Sequence, residues 1–81
     1  MKMPRDIGGE ELAKLLEKCA YKITRQTGSH IRLTTMEREE YHITIPKHKP
    51  LRVGTLNSIL GDVAMHLNME KQKLIDMLFG R

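Results

Sequence analysis

The segment Arg25–His30 reads RQTGSH and separates two stretches in which apolar and polar residues alternate. Tyr21, Ile23 and Arg25 alternate with Lys22, Thr24 and Gln26 before it, and Ile31, Leu33 and Thr35 alternate with His30, Arg32 and Thr34 after it. A short polar break that contains glycine, between two such stretches, predicts a β-hairpin. The turn therefore delivers a serine hydroxyl and an imidazole to the start of the second strand.

A third alternating stretch, Tyr41–Pro46, follows the acidic connection Glu37–Glu40. Its last residue is a proline, which cannot donate to a strand ladder, so the strand is expected to end there. Short connections make all three strands antiparallel neighbours. One face of the sheet is apolar and must be covered by helices. The other is expected to show Lys22, Thr24, Gln26, His30, Arg32 and His42 to solvent.

Helical spacing of apolar residues appears on both sides of the strands. Leu12, Leu15, Leu16 and Cys19 recur at i, i+3, i+4 and i+7, which predicts a helix from Gly8 or Gly9 to near Ala20. Leu56, Ile59, Leu60 and Val63 predict a second helix. We expect Thr55 to cap the second helix and Asn68 to cap a third, which ends at Gly80.

The resulting order is α-β-β-β-α followed by a C-terminal helix, an α+β arrangement. It is the order of double-stranded RNA-binding domains, in which helices cover one face of a three-stranded antiparallel sheet. We expect one such dsRBD-like domain over residues 1–81, with residues 1–6 as a flexible lead-in.

Composition excludes several classes of protein. The chain has 81 residues, 40% of them hydrophobic, and no apolar stretch approaches the ~20 residues of a membrane span. No signal-peptide core follows the N-terminus, so the cytoplasm is the expected compartment. The single cysteine, Cys19, cannot form an internal disulfide, and the histidines are not spaced near it as a zinc set. We expect no metal or other cofactor.

Positive charge is concentrated in residues 22–52, which hold seven Lys and Arg against three Glu, whereas the flanking segments are balanced. A basic sheet face is typical of a protein with a polyanion partner, although such charges can also serve solubility alone. The three aromatic residues, Tyr21, Tyr41 and Phe79, all fit the core. A platform of aromatic rings for stacking bases is therefore not expected.

Four segments together resemble the HicA toxin family, the small mRNA interferases of HicA–HicB toxin–antitoxin pairs. They are ELAKLL at 11–16, RQTGSH at 25–30, ITIPKH at 43–48 and GTLNSIL at 54–60. The resemblance runs from about Leu12 to Leu78. Two departures are visible: Cys19-Ala20 precede Tyr21 where the family usually has glycine, and Thr27 stands where a lysine often follows Arg-Gln. The second departure removes one phosphate contact.

The resemblance implies a toxin that cleaves mRNA without the ribosome and without a metal, and that a HicB-like antitoxin silences by covering the basic face and His30. It identifies His30 as the catalytic histidine, a residue whose ordinary pKa near 6.5 suits a general base or acid. Arg25, Lys47 or His48 would hold the phosphate, and His48 is the candidate for a second catalytic group.

Three further residues of the RQTGSH block are expected in the substrate site: Gln26, Gly28 and Ser29. Gly28 would let the turn approach the RNA backbone, and Ser29 would hydrogen-bond a phosphate oxygen. The alternative function is a non-catalytic RNA-binding module that uses the same basic surface for affinity alone. A weaker third option is a catalytically inactive relative that survives as a protein-interaction partner.

Overall fold

The computed structural model of the protein describes residues 6–80. The elements follow in the order α1 (Gly9–Leu16), β1 (Tyr21–Gln26), β2 (His30–Thr35), β3 (Tyr41–Pro46), α2 (Val53–His66) and α3 (Lys71–Phe79). The predicted α+β fold, dsRBD-like α-β-β-β-α with an additional C-terminal helix, is confirmed. The predicted lead-in 1–6 lies outside the described residues except for Asp6.

The three strands form one antiparallel sheet in the order β1-β2-β3, and the helices cover one of its faces. α1 lies against all three strands, α2 contacts β3, and α3 packs on α2. Leu74 and Leu78 of α3 are buried in the same core as Leu12 and Leu60. The C-terminal helix is thus part of this core, and Lys71 Nζ also donates a hydrogen bond to Asn57 of α2.

The start of α1 is held against the loop that follows β3. The Gly9 N–H donates to the His48 carbonyl at 2.9 Å, and the Gly8 N–H donates to Glu11 Oε1 at 3.0 Å. This hydrogen bond, with the nearby Lys49 ammonium, lowers the pKa of the Glu11 carboxyl. A Cβ on Gly9 would overlap the Pro46 carbonyl oxygen, so glycine is required there for close approach.

Both predicted helix caps are wrong. α2 begins at Val53, two residues before Thr55, because Arg52 is extended and its carbonyl accepts the Leu56 N–H at 2.9 Å. Asn68 ends α2 instead of starting α3: it lies in the left-handed region with φ 55° and donates its N–H to the Met65 carbonyl. Asparagine tolerates this conformation better than most residues, so it serves equally well after a helix.

Tyr21 opens β1 and is completely buried. Its hydroxyl finds no hydrogen-bond partner within residues 6–80. Burial, together with the nearby Asp62 carboxylate, raises the pKa of Tyr21 to about 12. By contrast, the Tyr41 hydroxyl donates to Asp62 Oδ1 at 2.6 Å.

Within residues 6–80, no helix is long and apolar enough to cross a membrane.

The close approach at Gly9 gives a first prediction. Gly9→Ala should lower the free energy of unfolding by about 1–3 kcal/mol, because the added methyl group forces α1 away from the end of β3. Gly61→Ala is the matched control: nothing lies within 4 Å of a Cβ there, and alanine should stabilise α2 by about 0.5–1 kcal/mol. Urea unfolding measures both, and equal stability of the two variants would contradict the close packing of α1.

The Tyr21 hydroxyl, which has no hydrogen-bond partner within residues 6–80, gives a second prediction. Because folding raises the pKa of this phenol from 10 to about 12, the free energy of unfolding of the wild type has its full value below pH 10 and falls as the pH rises from 10 to 12. Tyr21→Phe should therefore match or exceed wild-type stability at pH 8 and gain on it at pH 11. Tyr41→Phe should instead cost about 1–2 kcal/mol at pH 8, since it removes a hydrogen bond to a carboxylate. A pH-independent difference between Tyr21→Phe and wild type would contradict this account.

Candidate active site

An extra residue in β1 decides which side chains accompany His30. Ile23 pairs with Leu33 and Arg25 pairs with Arg32, so Thr24 is a bulge that has no partner of its own in the ladder. Directly paired residues on neighbouring strands lie on the same face, and a one-residue insertion reverses the parity that follows it. Arg25 therefore lies beside Arg32, away from the helices.

The same bulge corrects the prediction for Gln26. Strict alternation places Gln26 on the solvent face with His30, whereas the register pairs it with buried Ile31. Gln26 is exposed only because it lies at the end of the sheet. The face away from the helices, called the open face below, consists of Lys22, Thr24, Arg25, His30, Arg32, Thr34, His42 and Thr44.

Thr27 shapes the turn that carries His30. Its Oγ1 accepts the N–H of His30 at 3.0 Å and the N–H of Ser29 at 3.3 Å, and its own N–H donates to the His30 carbonyl at 2.9 Å. Such side-chain-to-backbone bonds are the usual way in which threonine and serine stabilise turns. Thr27 thus has a structural role in this turn.

His30 is exposed and oriented by its neighbour in sequence. Ser29 Oγ and His30 Nδ1 are 2.8 Å apart, at hydrogen-bonding distance. No bond to the second ring nitrogen, Nε2, occurs within residues 6–80. His30 lines an open depression of about 200 Å³ together with Arg25, Thr27, Arg32 and Thr44. The imidazole thus has one nitrogen held by the protein and the other available to a ligand.

Lys47 and His48 lie on the other side of the turn. The Lys47 N–H donates to the Ser29 carbonyl at 2.9 Å, which joins the end of β3 to the turn. Both residues line a smaller cavity of about 80 Å³, together with Gly8–Glu11 and Lys49. The structure therefore brings Arg25, Ser29 and His30 together but does not bring His48 into the depression beside His30.

Gly28 occupies the tip of the turn. Its φ is not in the left-handed region, and nothing lies within 4 Å of a Cβ built on it. The turn conformation therefore does not itself require glycine here. The space above Gly28 is open to any molecule that approaches His30.

The other histidines differ from His30 in their partners. Both ring nitrogens of His42 have partners: Nδ1 bonds Thr34 Oγ1 at 2.7 Å and Nε2 bonds Glu40 Oε2 at 2.9 Å. His66, in the last turn of α2, stacks on Tyr41 with ring centroids 4.5 Å apart, and its Nε2 donates to the Glu37 carbonyl. His48 is exposed and its ring has no hydrogen-bond partner within residues 6–80, whereas His30 is exposed with one ring nitrogen bonded and the other unoccupied.

Thr27 and Thr44 were not predicted in the site. Arg32 was expected beside His30 on the solvent face, and Thr44 follows from the register of β3. Thr27 could be found only through its turn hydrogen bonds. As for metals, no group of three or more His, Cys, Asp or Glu within residues 6–80 is placed to hold an ion.

Comparison with known proteins gives one match. The family model described as the HicA toxin of bacterial toxin–antitoxin systems matches residues 9–65, which span α1 through nearly all of α2. No curated protein and no solved structure matches the chain. The family match covers more than half of the chain and includes the whole of the hairpin that carries His30. The chain therefore belongs to the HicA toxin family.

Proposed function

We propose that this toxin is a ribosome-independent endoribonuclease that cleaves mRNA in the cytoplasm through His30. The observation that carries the proposal is the bond between Ser29 Oγ and His30 Nδ1, which orients an exposed imidazole beside two arginines. Ser29 accordingly acts by positioning His30, in place of the phosphate contact expected from the sequence. An oriented imidazole can accept a proton in phosphodiester cleavage, and nearby cations stabilise the charge that develops on the phosphate.

The reaction is the attack of a ribose 2′-hydroxyl on the adjacent phosphorus. His30 removes the 2′ proton, the 2′ oxygen–phosphorus bond forms, and the bond from phosphorus to the 5′ oxygen breaks. The products are a 2′,3′-cyclic phosphate and a 5′-hydroxyl. The positive charge of Arg25 and Arg32, which line the depression beside His30, stabilises the charge that builds on the phosphate oxygens.

The leaving 5′ oxygen also needs a proton. One imidazole cannot act as base and acid within a single concerted step. The other residues around the depression are two arginines and two threonines, which are not among the side chains that commonly serve as general acids. His48 lines the separate cavity next to α1. We therefore assign the second proton to solvent, which reaches this open site.

The remaining predicted site residues surround the turn and would bind RNA outside the reacting centre. Lys47 and His48 would contact the backbone on the α1 side of Ser29, where their cavity begins. Gly28 leaves the approach to His30 open, and Gln26 lies at the rim of the sheet. None of these residues takes part in proton transfer.

Membership of a toxin–antitoxin family implies an antitoxin partner. We propose a HicB-like antitoxin that covers the open face and His30. A partner with an acidic surface would be complementary to this basic face and would exclude RNA from it.

The assignment of His30 gives a third prediction. His30→Ala should reduce the rate of mRNA cleavage by roughly 100-fold or more and remove growth arrest, since the base is lost. His42→Ala is the matched control, because it removes an exposed histidine from the same face. Controlled expression followed by electrophoresis of bulk mRNA gives the readout, with abundance and folding checked for each variant. If wild type binds RNA yet leaves it intact, the protein is a binding module and the catalytic assignment is wrong.

The hydrogen bonds that Thr27 makes within the turn give a fourth prediction. Thr27→Val keeps the side-chain volume but removes the hydroxyl that holds the Ser29 and His30 amides, so the maximal cleavage rate should fall while KM changes little. Thr27→Ser retains the oxygen and should restore most of the rate. Equal rates for the valine and serine variants would contradict a positioning role for Thr27.

A further inference from the structure

We infer that single-stranded RNA crosses the open face of the sheet, with the phosphate next to the scissile one bound between Arg25 and Arg32. This inference rests on the proposed function and extends it by giving the substrate a path. It differs from the expectation raised by the fold, since double-stranded RNA-binding domains contact RNA through helices and loops.

The first support is the pairing of two arginines. Arg25 and Arg32 are direct partners across β1 and β2, and both are exposed. Like charges directly opposite each other destabilise a sheet. Neither guanidinium has an ion-pair or hydrogen-bond partner anywhere between residues 6 and 80. The register keeps two uncompensated cations side by side, and a phosphate between them would relieve their repulsion.

The second support is the distance to His30. Along β2, His30 precedes Arg32 by two residues, so the two lie on one face about 7 Å apart. This distance is comparable to the separation of successive phosphates in an extended nucleic-acid strand. When one phosphate lies at His30, its neighbour therefore reaches the arginine pair. Thr44, paired with Arg32 on its other side, offers a hydroxyl to the same phosphate.

The third support is the hydrogen bonding of the next row of paired residues, Lys22, Thr34 and His42, with Thr24 beside them. Thr24 and Thr34 hydroxyls are 2.9 Å apart, and Thr34 also bonds His42, which in turn bonds Glu40. These polar groups satisfy one another, and Glu40 places a carboxylate at this edge. Lys22, the partner of Thr34, is exposed in the same row, so this row sets one lysine against Glu40 and is less positive than the row of Arg25 and Arg32.

The surface formed by α1 and the turn after it is a poorer surface for a polyanion. α1 and the turn after it expose Glu10, Glu11 and Glu17 against Lys14 and Lys18, so their acidic groups outnumber their basic ones. Like charges would repel the phosphates of a duplex laid along this helix. The open face of the described chain carries no Phe, Tyr or Trp, so contacts with the RNA backbone dominate there over base stacking.

A single strand suits the reaction as well as the surface. In-line attack requires the 2′ oxygen opposite the leaving 5′ oxygen, a geometry that an A-form duplex does not provide. An extended strand on a sheet can adopt it at His30 while its next phosphate is held by the arginine pair.

The test compares two double variants with equal loss of charge, both built on His30→Ala so that RNA is not consumed. Arg25→Gln/Arg32→Gln removes the proposed clamp, and Lys14→Gln/Lys18→Gln removes two exposed lysines from the α1 side. The probe is a fluorescein-labelled ten-nucleotide oligouridylate, with a duplex of equal length for comparison. Fluorescence anisotropy gives Kd at several salt concentrations, and thermal unfolding reports the fold of each variant.

We expect the arginine double variant to bind the single strand roughly tenfold or more weakly, and its salt slope to fall by about 0.7 for each lost phosphate contact. Its thermal stability at low salt should equal or exceed that of the parent, because a repulsive pair has gone. The lysine double variant should bind as the parent does. Three results would each contradict the proposed path of RNA across the open face: equal weakening of binding in both double variants, unchanged binding by the arginine variant, or tighter binding of the duplex than of the single strand.

Failure of the path and failure of the proposed function are distinguishable. If the Arg25→Gln/Arg32→Gln protein with His30 intact still cleaves mRNA at the wild-type rate, the path is wrong and the nuclease assignment stands. If the protein with an intact sequence neither binds nor cleaves RNA, both fail.

Discussion

One extra residue in the first strand sets the chemistry of this sheet. Without the bulge at Thr24, β1 would alternate regularly, and Arg25 would point toward the side of the sheet that the helices cover. With it, the chain keeps Tyr21 and Ile23 on the core side while the second half of the strand changes faces. A bulge is a common device for redirecting a side chain near a functional site. The arginine pair and its relation to His30 both depend on this insertion.

Most of the fold could be predicted from local patterns. The bounds of β1 and β3 follow from alternation and from Pro46, and the order of the elements follows from the spacing of apolar residues. The helix ends were harder, since Arg52 and Glu70 precede α2 and α3 without any side-chain cap, and backbone geometry alone decides where those helices start. Asn68 could have capped either of two helices, and only its positive φ shows which.

The position of His30 in the site could be predicted from the sequence, whereas the positions of the residues around it were harder to predict. A glycine-containing turn before an alternating strand places His30 at a strand start, and parity assigns it to the solvent face. Gln26 and Arg25 could not be assigned in this way, because a bulge carries little signal in sequence and reverses every assignment beyond it. His48 follows the strand closely in sequence, but its carbonyl accepts the Gly9 N–H and the residue lines the cavity next to α1.

We propose that His30 acts as the base for attack by a ribose 2′-hydroxyl. The chemical ends of the cleavage products test this role most directly. A purified RNA oligonucleotide is incubated with the toxin, and the new ends are identified by mass spectrometry, alongside the same oligonucleotide carrying a single 2′-deoxy nucleotide at the cleaved position. The account predicts a 2′,3′-cyclic phosphate and a 5′-hydroxyl from the first, and no cleavage at that position in the second. A 5′-phosphate end, or equal cleavage of the deoxy-substituted strand, would contradict it.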